Sequence, residues 1–461
     1  MTADRRWWWL LAAILLLGFA LRLAGAQGGL WLDEAWSAVQ ARDAGTPIGV
    51  FLNINHDNNH HLNSLWMQLV GFGAPSPLVR GLSIATGTAS IWVAWLIGAR
   101  RGLGVAAVTA ALFAVSPAMV TMGSEARGYA PMMLALLVAI LLVDRRLDGA
   151  AERSPATALA LCFFLGALAQ LTILFGFFAV AGWAFFTLWK REGLRSALVE
   201  TLKLFAPSIV AIGLVFAILA AGAMHGNGFH FGNYDPFTWV QFVRGVSVLV
   251  QYTLGFPIVT VWWIALVPAL VILAPGMGVT RIAFHRLAIL AFPLVLALLH
   301  SGNVAHPRYY LLVGVALLIL LGELLWHGLA AGGWRRWAAG GALAAIVAAS
   351  LFHDMDLATN RRGDTSAAIR AMQARAPHGA RVLIDRDTAL AALEVGSAQA
   401  HYRLEIRKDA CVPAQFLLAD RFQGEEPPPT ADRCGQHYRP IESMRAHGLS
   451  GTHWTLYEHA P

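Results

Sequence analysis

Four stretches of this chain run without a single Asp, Glu, Lys or Arg: residues 81–99, 102–124, 154–189 and 204–224. A helix needs about 20 apolar residues to cross the hydrocarbon core of a bilayer. The third stretch is long enough for two crossings, with a polar break at Gln170–Thr172. Such runs commit the chain to the membrane, because buried backbone in lipid must satisfy its own hydrogen bonds and a helix does so within one segment. The composition agrees. Only 13% of the 461 residues are charged, about half the share of a soluble domain, and the seventeen Trp suit a membrane interface. The net charge of +7 does not point to nucleic acid, since the basic residues sit mostly in short loops between apolar runs.

About eleven spans are predicted: 7–25, 80–99, 103–122, 129–144, 155–171, 173–189, 204–222, 258–275, 286–301, 309–327 and 337–351. The first follows Arg5-Arg6 and lacks a good small-residue cleavage site, so it reads as an uncleaved helix. Residues 60–73 decide the parity. As a helix they reach about 21 Å, against a core of roughly 30 Å. If they lie flat on the membrane, Arg100-Arg101, Arg145-Arg146, Lys190-Arg191, Arg281–Arg286 and Arg335-Arg336 all fall on the cytosolic side with Arg5-Arg6, as the positive-inside rule asks. If they span, every one of those clusters moves outside. The flat reading puts the N-terminus in the cytosol and the tail outside it. The fold expected is an all-α polytopic membrane domain, 1–351, with interfacial helices and external loops 26–79 and 223–257. A small soluble α/β domain, 352–461, follows. In that tail "TSAAIRAMQARA" and "TALAALEVG" read as helices, and "RVLID" and "HWTLYEH" as strands. Cys411 and Cys434 could pair there if the tail lies outside the cytosol.

With the sidedness set, the exceptions stand out. "WLDEAW", Trp31–Trp36, places Asp33 and Glu34 just after the first span. Asp33 could simply cap a helix; alternatively, adjacent carboxylates could take an acceptor's proton or help hold a metal. "NHDNNHHLN" supplies His56, Asp57, His60 and His61, loosely spaced as metal ligands and without a zinc signature. Arg127 in "SEARGYAP" and Arg308 in "HPRYY" are basic residues on the external side, each close to Tyr (Tyr129; Tyr309). A single such Arg commonly snorkels to the headgroup layer. Two on the face that holds the acids suit a phosphate, which a guanidinium grips at two points.

The order of these pieces resembles the GT-C glycosyltransferases. It runs from a first span to an external acidic pair, a His-led interfacial helix, Ser124-Glu125-Ala126-Arg127-Gly128-Tyr129-Ala130, and a late Pro307-Arg308-Tyr309. The pattern is similar to bacterial relatives of the dolichyl-phosphate-mannose protein mannosyltransferases and of the aminoarabinose transferase of lipid A. It covers about residues 7–327. The resemblance implies transfer of a sugar from a polyprenyl-phosphate carrier to a lipid, glycan or protein acceptor on the outer face of a bacterial inner membrane. It implies Asp33 as the catalytic acid–base residue with Glu34 as its partner, and Arg127, Tyr129, Arg308 and Tyr309 as donor-binding. His56, His60, His61 and Glu125 are further candidates for substrate or a divalent metal; no other cofactor is implied. Two departures are visible. His60-His61-Leu62-Asn63 stands where the family often has His-Pro-Pro, and Arg127-Gly128-Tyr129 stands where it often has Arg-Pro-Tyr. The rival class is a lipid or glycan flippase, which would place charges and broken helices at the membrane midplane; the predicted spans are nearly free of charge at their centres.

The orientation is directly testable. A reporter active only outside the cytosol, fused after Pro461, is expected to be active. Activity from a cytosol-only reporter at that position would overturn both the orientation and the sidedness of the site.

Overall fold

The computed structural model describes residues 2–150, 153–226, 228–230, 232, 235–256, 262–274, 278–408 and 411–460. Among them, seven helices are long and apolar enough to cross a membrane: Arg5–Gly25, Gly81–Ala99, Ile173–Glu192, Leu194–His225, Val279–Leu298, Pro307–Ala331 and Gly333–Gly363. Leu103–Val115 and Ala156–Ala169 are shorter apolar helices, and Tyr129–Leu147 ends in Asp144-Arg145-Arg146. Every predicted span therefore contains a helix, but not all are full-length. The segment 103–122 breaks at Ser116, whose backbone is extended ahead of Pro117. Proline disfavours helical geometry in the residue before it, and the Ser116 hydroxyl instead donates to Thr253 O at 2.9 Å. Of 258–275, helix Trp262–Leu273 is seen; the remainder falls largely outside the described residues, as do parts of 223–257.

The segment 60–73 forms a ten-residue helix, His61–Val70, about 15 Å long and too short to span. Trp239–Leu254 is the second short amphipathic helix. The basic clusters gather at one end of the bundle. Arg101 binds Asp144 at 2.6 Å, Arg100 binds Asp148 at 2.8 Å, and Arg281 reaches Glu323 at 3.4 Å. Helix Gly81–Ala99 runs from Arg80 at the other end to Arg100 at this one, so the acidic pair and the basic clusters lie at opposite ends.

Helix Gly333–Asn360 continues past the boundary expected at 351 and delivers the chain to the C-terminal domain. Six strands form one sheet: β1 Ala380–Ile384, β2 Leu404–Lys408, β3 Phe416–Arg421, β4 Ala431–Arg433, β5 Gln436–Met444 and β6 His453–Ala460. Their order is β2-β1-β3-β6-β5-β4. β1 is parallel to β2 and β3, and the remaining pairs are antiparallel. Helices Thr365–Arg375 and Thr388–Gln399 supply Ile369, Met372 and Leu393 to a core with Val382, Phe416 and Trp454. Cys411 and Cys434 are bonded, with Cα atoms 5.3 Å apart.

The sheet domain is fastened to the site end of the bundle. Arg362, fully buried, donates to Gly25 O, to Thr121 O at 3.2 Å and to Ser124 Oγ at 2.7 Å, and it faces Glu125 at 3.6 Å. Asp364 accepts from Gly29 N–H at 2.8 Å, and Arg42 meets Glu394 at 3.0 Å. Removing one member of a buried ion pair leaves the other uncompensated, at a cost of about 3–5 kcal/mol. Arg362→Ala is therefore expected to lower the unfolding midpoint and to speed proteolysis between Asn360 and the sheet. An unchanged midpoint would mean that the domain docks through its other contacts alone.

Candidate active site

Helix Leu32–Asp43 starts after Trp31, whose extended backbone makes it the N-cap. Successive residues on a helix point about 100° apart, so Asp33 and Glu34 cannot share a target. Asp33 faces a cavity of about 670 Å³. Glu34 faces protein and is 0% exposed. Its carboxylate accepts from Arg80 Nε at 2.8 Å, from Ala126 N–H at 2.7 Å and from Trp31 N–H at 3.3 Å. Burial alone would push its pKa up, but Arg80 beside it holds it below the ordinary carboxylate range. Glu34, expected to share the chemistry with Asp33, is enclosed by these donors and does not line the cavity; it also performs the helix-start capping considered for Asp33.

Asp33 Oδ2 accepts from Arg127 Nη1 and, at 2.9 Å, from Arg308 Nη1. Both bonds go to one oxygen; Oδ1 has no hydrogen-bond partner among the described residues. The two arginines differ. Arg127 is 4% exposed and its fork is fully engaged. Besides Asp33 it donates to Asn58 Oδ1 at 2.8 Å and to His60 Nε2 at 3.2 Å, and it stands 5.3 Å from the Tyr129 ring centroid. Arg308 comes from the short turn Pro307–Tyr310 that opens helix Leu311–Ala331; its side chain is 27% exposed and borders the cavity with Tyr309.

The Arg127 loop can approach this closely only because residue 128 is glycine. A Cβ there would stand 1.7 Å from Ala169 O. That is the packing reason for Arg127-Gly128-Tyr129. The same carbonyl accepts from His60 Nδ1 at 3.1 Å. With Nδ1 carrying the proton, Nε2 is left as the acceptor for Arg127, so His60 works as a neutral ring. Burial pushes its pKa down to about 4. His61 lines the cavity, its ring stacked on Phe51, and burial takes it to about 4 as well. His56 is 2.9 Å from Asp57, and both border the cavity. Glu125 lies away from it, under Arg362, and burial raises its pKa; it belongs to the domain interface rather than to a substrate surface. Among the described residues, no three His, Cys, Asp or Glu side chains converge as a metal site.

Several lining residues were not expected at the site. Asn58 sits inside the histidine cluster. Gln170 and Thr172 are the polar break between two predicted spans, and Thr388 and Phe422 come from the sheet domain. Arg80 could have been found by the rule that exposed Arg127 and Arg308, as a basic residue at the site end of an apolar helix.

No family model and no curated protein matches the sequence. Solved structures do match. ArnT from Cupriavidus metallidurans in the apo state aligns over 98% of both chains with a TM-score of 0.56 at 12% identity. The same protein bound to undecaprenyl phosphate aligns over 98% of both chains, with a TM-score of 0.51 at 13% identity. The chain has the GT-C fold. At these identities the likeness establishes architecture, and the residues above must carry the chemistry.

The buried histidines give a pH prediction. His60 has a folded pKa of about 4, below the unfolded value of about 6.5. Between those values the unfolded chain takes up a proton that the folded chain refuses, so stability falls as pH falls. The loss for His60 is on the order of 3 kcal/mol once pH drops below about 4. Urea midpoints are expected to decline from pH 6.5 downward, and less steeply in His60→Gln. A flat profile would mean that the ring is protonated in the folded state.

Proposed function

We propose that this chain is a membrane glycosyltransferase of the bacterial inner membrane. It moves a sugar from a polyprenyl-phosphate carrier to an acceptor hydroxyl, at the outer face, with inversion. The observation that carries the reading is a cavity-facing carboxylate, Asp33, shared between Arg127 and Arg308. A fold shared with a protein solved with undecaprenyl phosphate supports the carrier.

The chemistry follows from the two ends of the reacting bond. The acceptor oxygen attacks the anomeric carbon as the bond from that carbon to the phosphate oxygen breaks, and the electron pair leaves with the phosphate. Asp33 Oδ1 takes the acceptor's proton. A general base of this kind contributes about 10²–10⁴-fold in rate. Arg308, partly exposed, meets the departing phosphate charge, where fixed donors in a partly dry site act most strongly. Arg127 has its donors committed, so it orients Asp33 and keeps the site positive. Glu34 and Arg80 hold the helix that presents Asp33. One carboxylate opposite the leaving group fits a single displacement rather than the paired carboxylates of glycosidases. The N-terminus and the basic loops then lie in the cytosol, and the sheet domain on the outer face.

Arg308 cannot serve Asp33 and a phosphate equally, and this separates the two residues experimentally. Asp33→Asn is expected to lower turnover about 10²–10⁴-fold while binding decaprenyl phosphate at least as tightly as wild type, because the amide releases Arg308 from a competing anion. Arg308→Ala is expected to weaken both carrier binding and turnover, and Arg308→Lys to restore only part, since an ammonium lacks the two-pronged grip. Near-normal turnover in Asp33→Asn would transfer the base to Asp57, the other carboxylate that borders the cavity. Carrier movement between leaflets without release of polyprenyl phosphate would mark a flippase instead.

A further inference from the structure

The sheet domain has a ligand-binding geometry of its own, and it opens onto the same cavity. After β1 the chain passes through helix Thr388–Gln399 to β2 on one side of β1; β3 then lies on the other side. From β3 the chain moves away toward β6, β5 and β4. The connections therefore leave β1 and β3 in opposite directions, and these two strands are parallel. In open α/β sheets, the crevice beyond the carboxyl ends of such strands is where ligands bind. Thr388 follows β1 and Phe422 follows β3, and both line the cavity that contains Asp33 and Arg308.

Two orphaned oxygens collect at the same edge. Asp385 Oδ1 and Asp420 Oδ1 are buried without a hydrogen-bond partner among the described residues, and the Thr388 hydroxyl lies beside the Asp420 carboxyl, to which it donates. Asp420 is 5% exposed and borders a small void with Thr388. Thr388 links the two spaces, since it lines both the void and the catalytic cavity. Buried polar atoms are normally paired, so this cluster asks for donors from elsewhere. Phe422 offers a half-exposed ring beside it. The nearby cations are already engaged: Arg421 binds Asp385 at 2.6 Å and Arg386 binds Glu425 at 2.7 Å. The edge therefore presents acceptor oxygens and an aromatic face, with its guanidinium groups spoken for.

We propose that this crevice is the acceptor subsite, and that the acceptor presents a glycan to it. Sugar hydroxyls donate to the orphaned oxygens, and the C–H face of a sugar ring packs on Phe422. An anionic headgroup would need free cations at this edge, and a bare hydrocarbon would leave the oxygens unpaired. The inference rests on the glycosyltransferase reading, but its test is separate.

The probe is maltotriose, a neutral oligosaccharide, followed by saturation-transfer NMR on the full chain in nanodiscs. Wild type is expected to bind it. Phe422→Ala and Thr388→Val are expected to weaken that binding about five-fold or more, and Phe422→Trp to retain it, which excludes a folding defect as the cause. Decaprenyl phosphate binding, measured in parallel on wild type and Arg308→Ala, reports on the carrier site. Maltotriose binding that is absent in wild type, or unchanged in Phe422→Ala, would overturn the acceptor subsite. Loss of the Arg308-dependent carrier signal would overturn the transferase reading instead. Binding of an anionic vesicle surface that depends on Phe422, without maltotriose binding, would also overturn the glycan class.

Discussion

A fully buried guanidinium is costly unless every donor finds an acceptor, and Arg80 shows how that cost shapes the site end of the bundle. Its Nη1 donates to the carbonyls of Ala26, Gln27 and Gly28 at 2.8, 3.2 and 3.1 Å, its Nη2 to Gly29 at 3.0 Å, and its Nε to Glu34. The turn that leaves the first span is thus wrapped around one side chain. Glu34 neutralises the charge and ties in Ala126 N–H, one residue before Arg127. The position of Asp33 and the position of Arg127 both follow from this pair. A buried ion pair is weak evidence for stability; here its evident consequence is to give two chain segments one register.

The same logic recurs at the domain interface. Arg362 spends its donors on Gly25 O, Thr121 O, Ser124 Oγ and Ser450 Oγ, which lie on the first span, the Pro117–Met122 region and the sheet domain. Gly29 N–H and Leu30 O are taken up by Asp364 and Thr365. The loop that follows the first span is therefore held on one side by Arg80 and on the other by the sheet domain. Its polar backbone is satisfied on both sides, which lets an irregular loop frame a partly dry cavity. The cavity accordingly takes its wall from the loop, from the ends of several helices and from the sheet domain.

Much of this was legible in the linear chain. Charge-free runs disclose helices because the bilayer leaves few alternatives. The flat reading of 60–73 agrees with the ten-residue helix, because a length argument is a hard geometric bound. The charge rule singled out Arg127 and Arg308, and both reach Asp33, because a guanidinium at the end of an apolar helix seeks an anion. The residues missed were those whose reason lies in a distant contact. Arg80 looks like any helix-start arginine until its four carbonyls are seen, and Phe422 lies in a different domain from Asp33. The predicted span 103–122 is broken into two helices for a local reason, because apolar composition hides a break made by the backbone preference before Pro117.

By itself the sequence determined the class of fold, the approximate ends of most helices, the common end that holds the acids and arginines, and the alternation that builds the tail. Those properties depend on composition, period and length, which act along the chain. Only the tertiary structure decided that Asp33 and Glu34 part company, that Arg127 is saturated while Arg308 faces open space, and that Gly128 is needed where Ala169 approaches. It also decided that the sheet domain supplies part of the cavity wall. Each of these depends on which groups from remote segments meet in a low-dielectric interior. There one missing partner changes a charge from stabilising to costly, and no spacing within the sequence encodes which partner arrives.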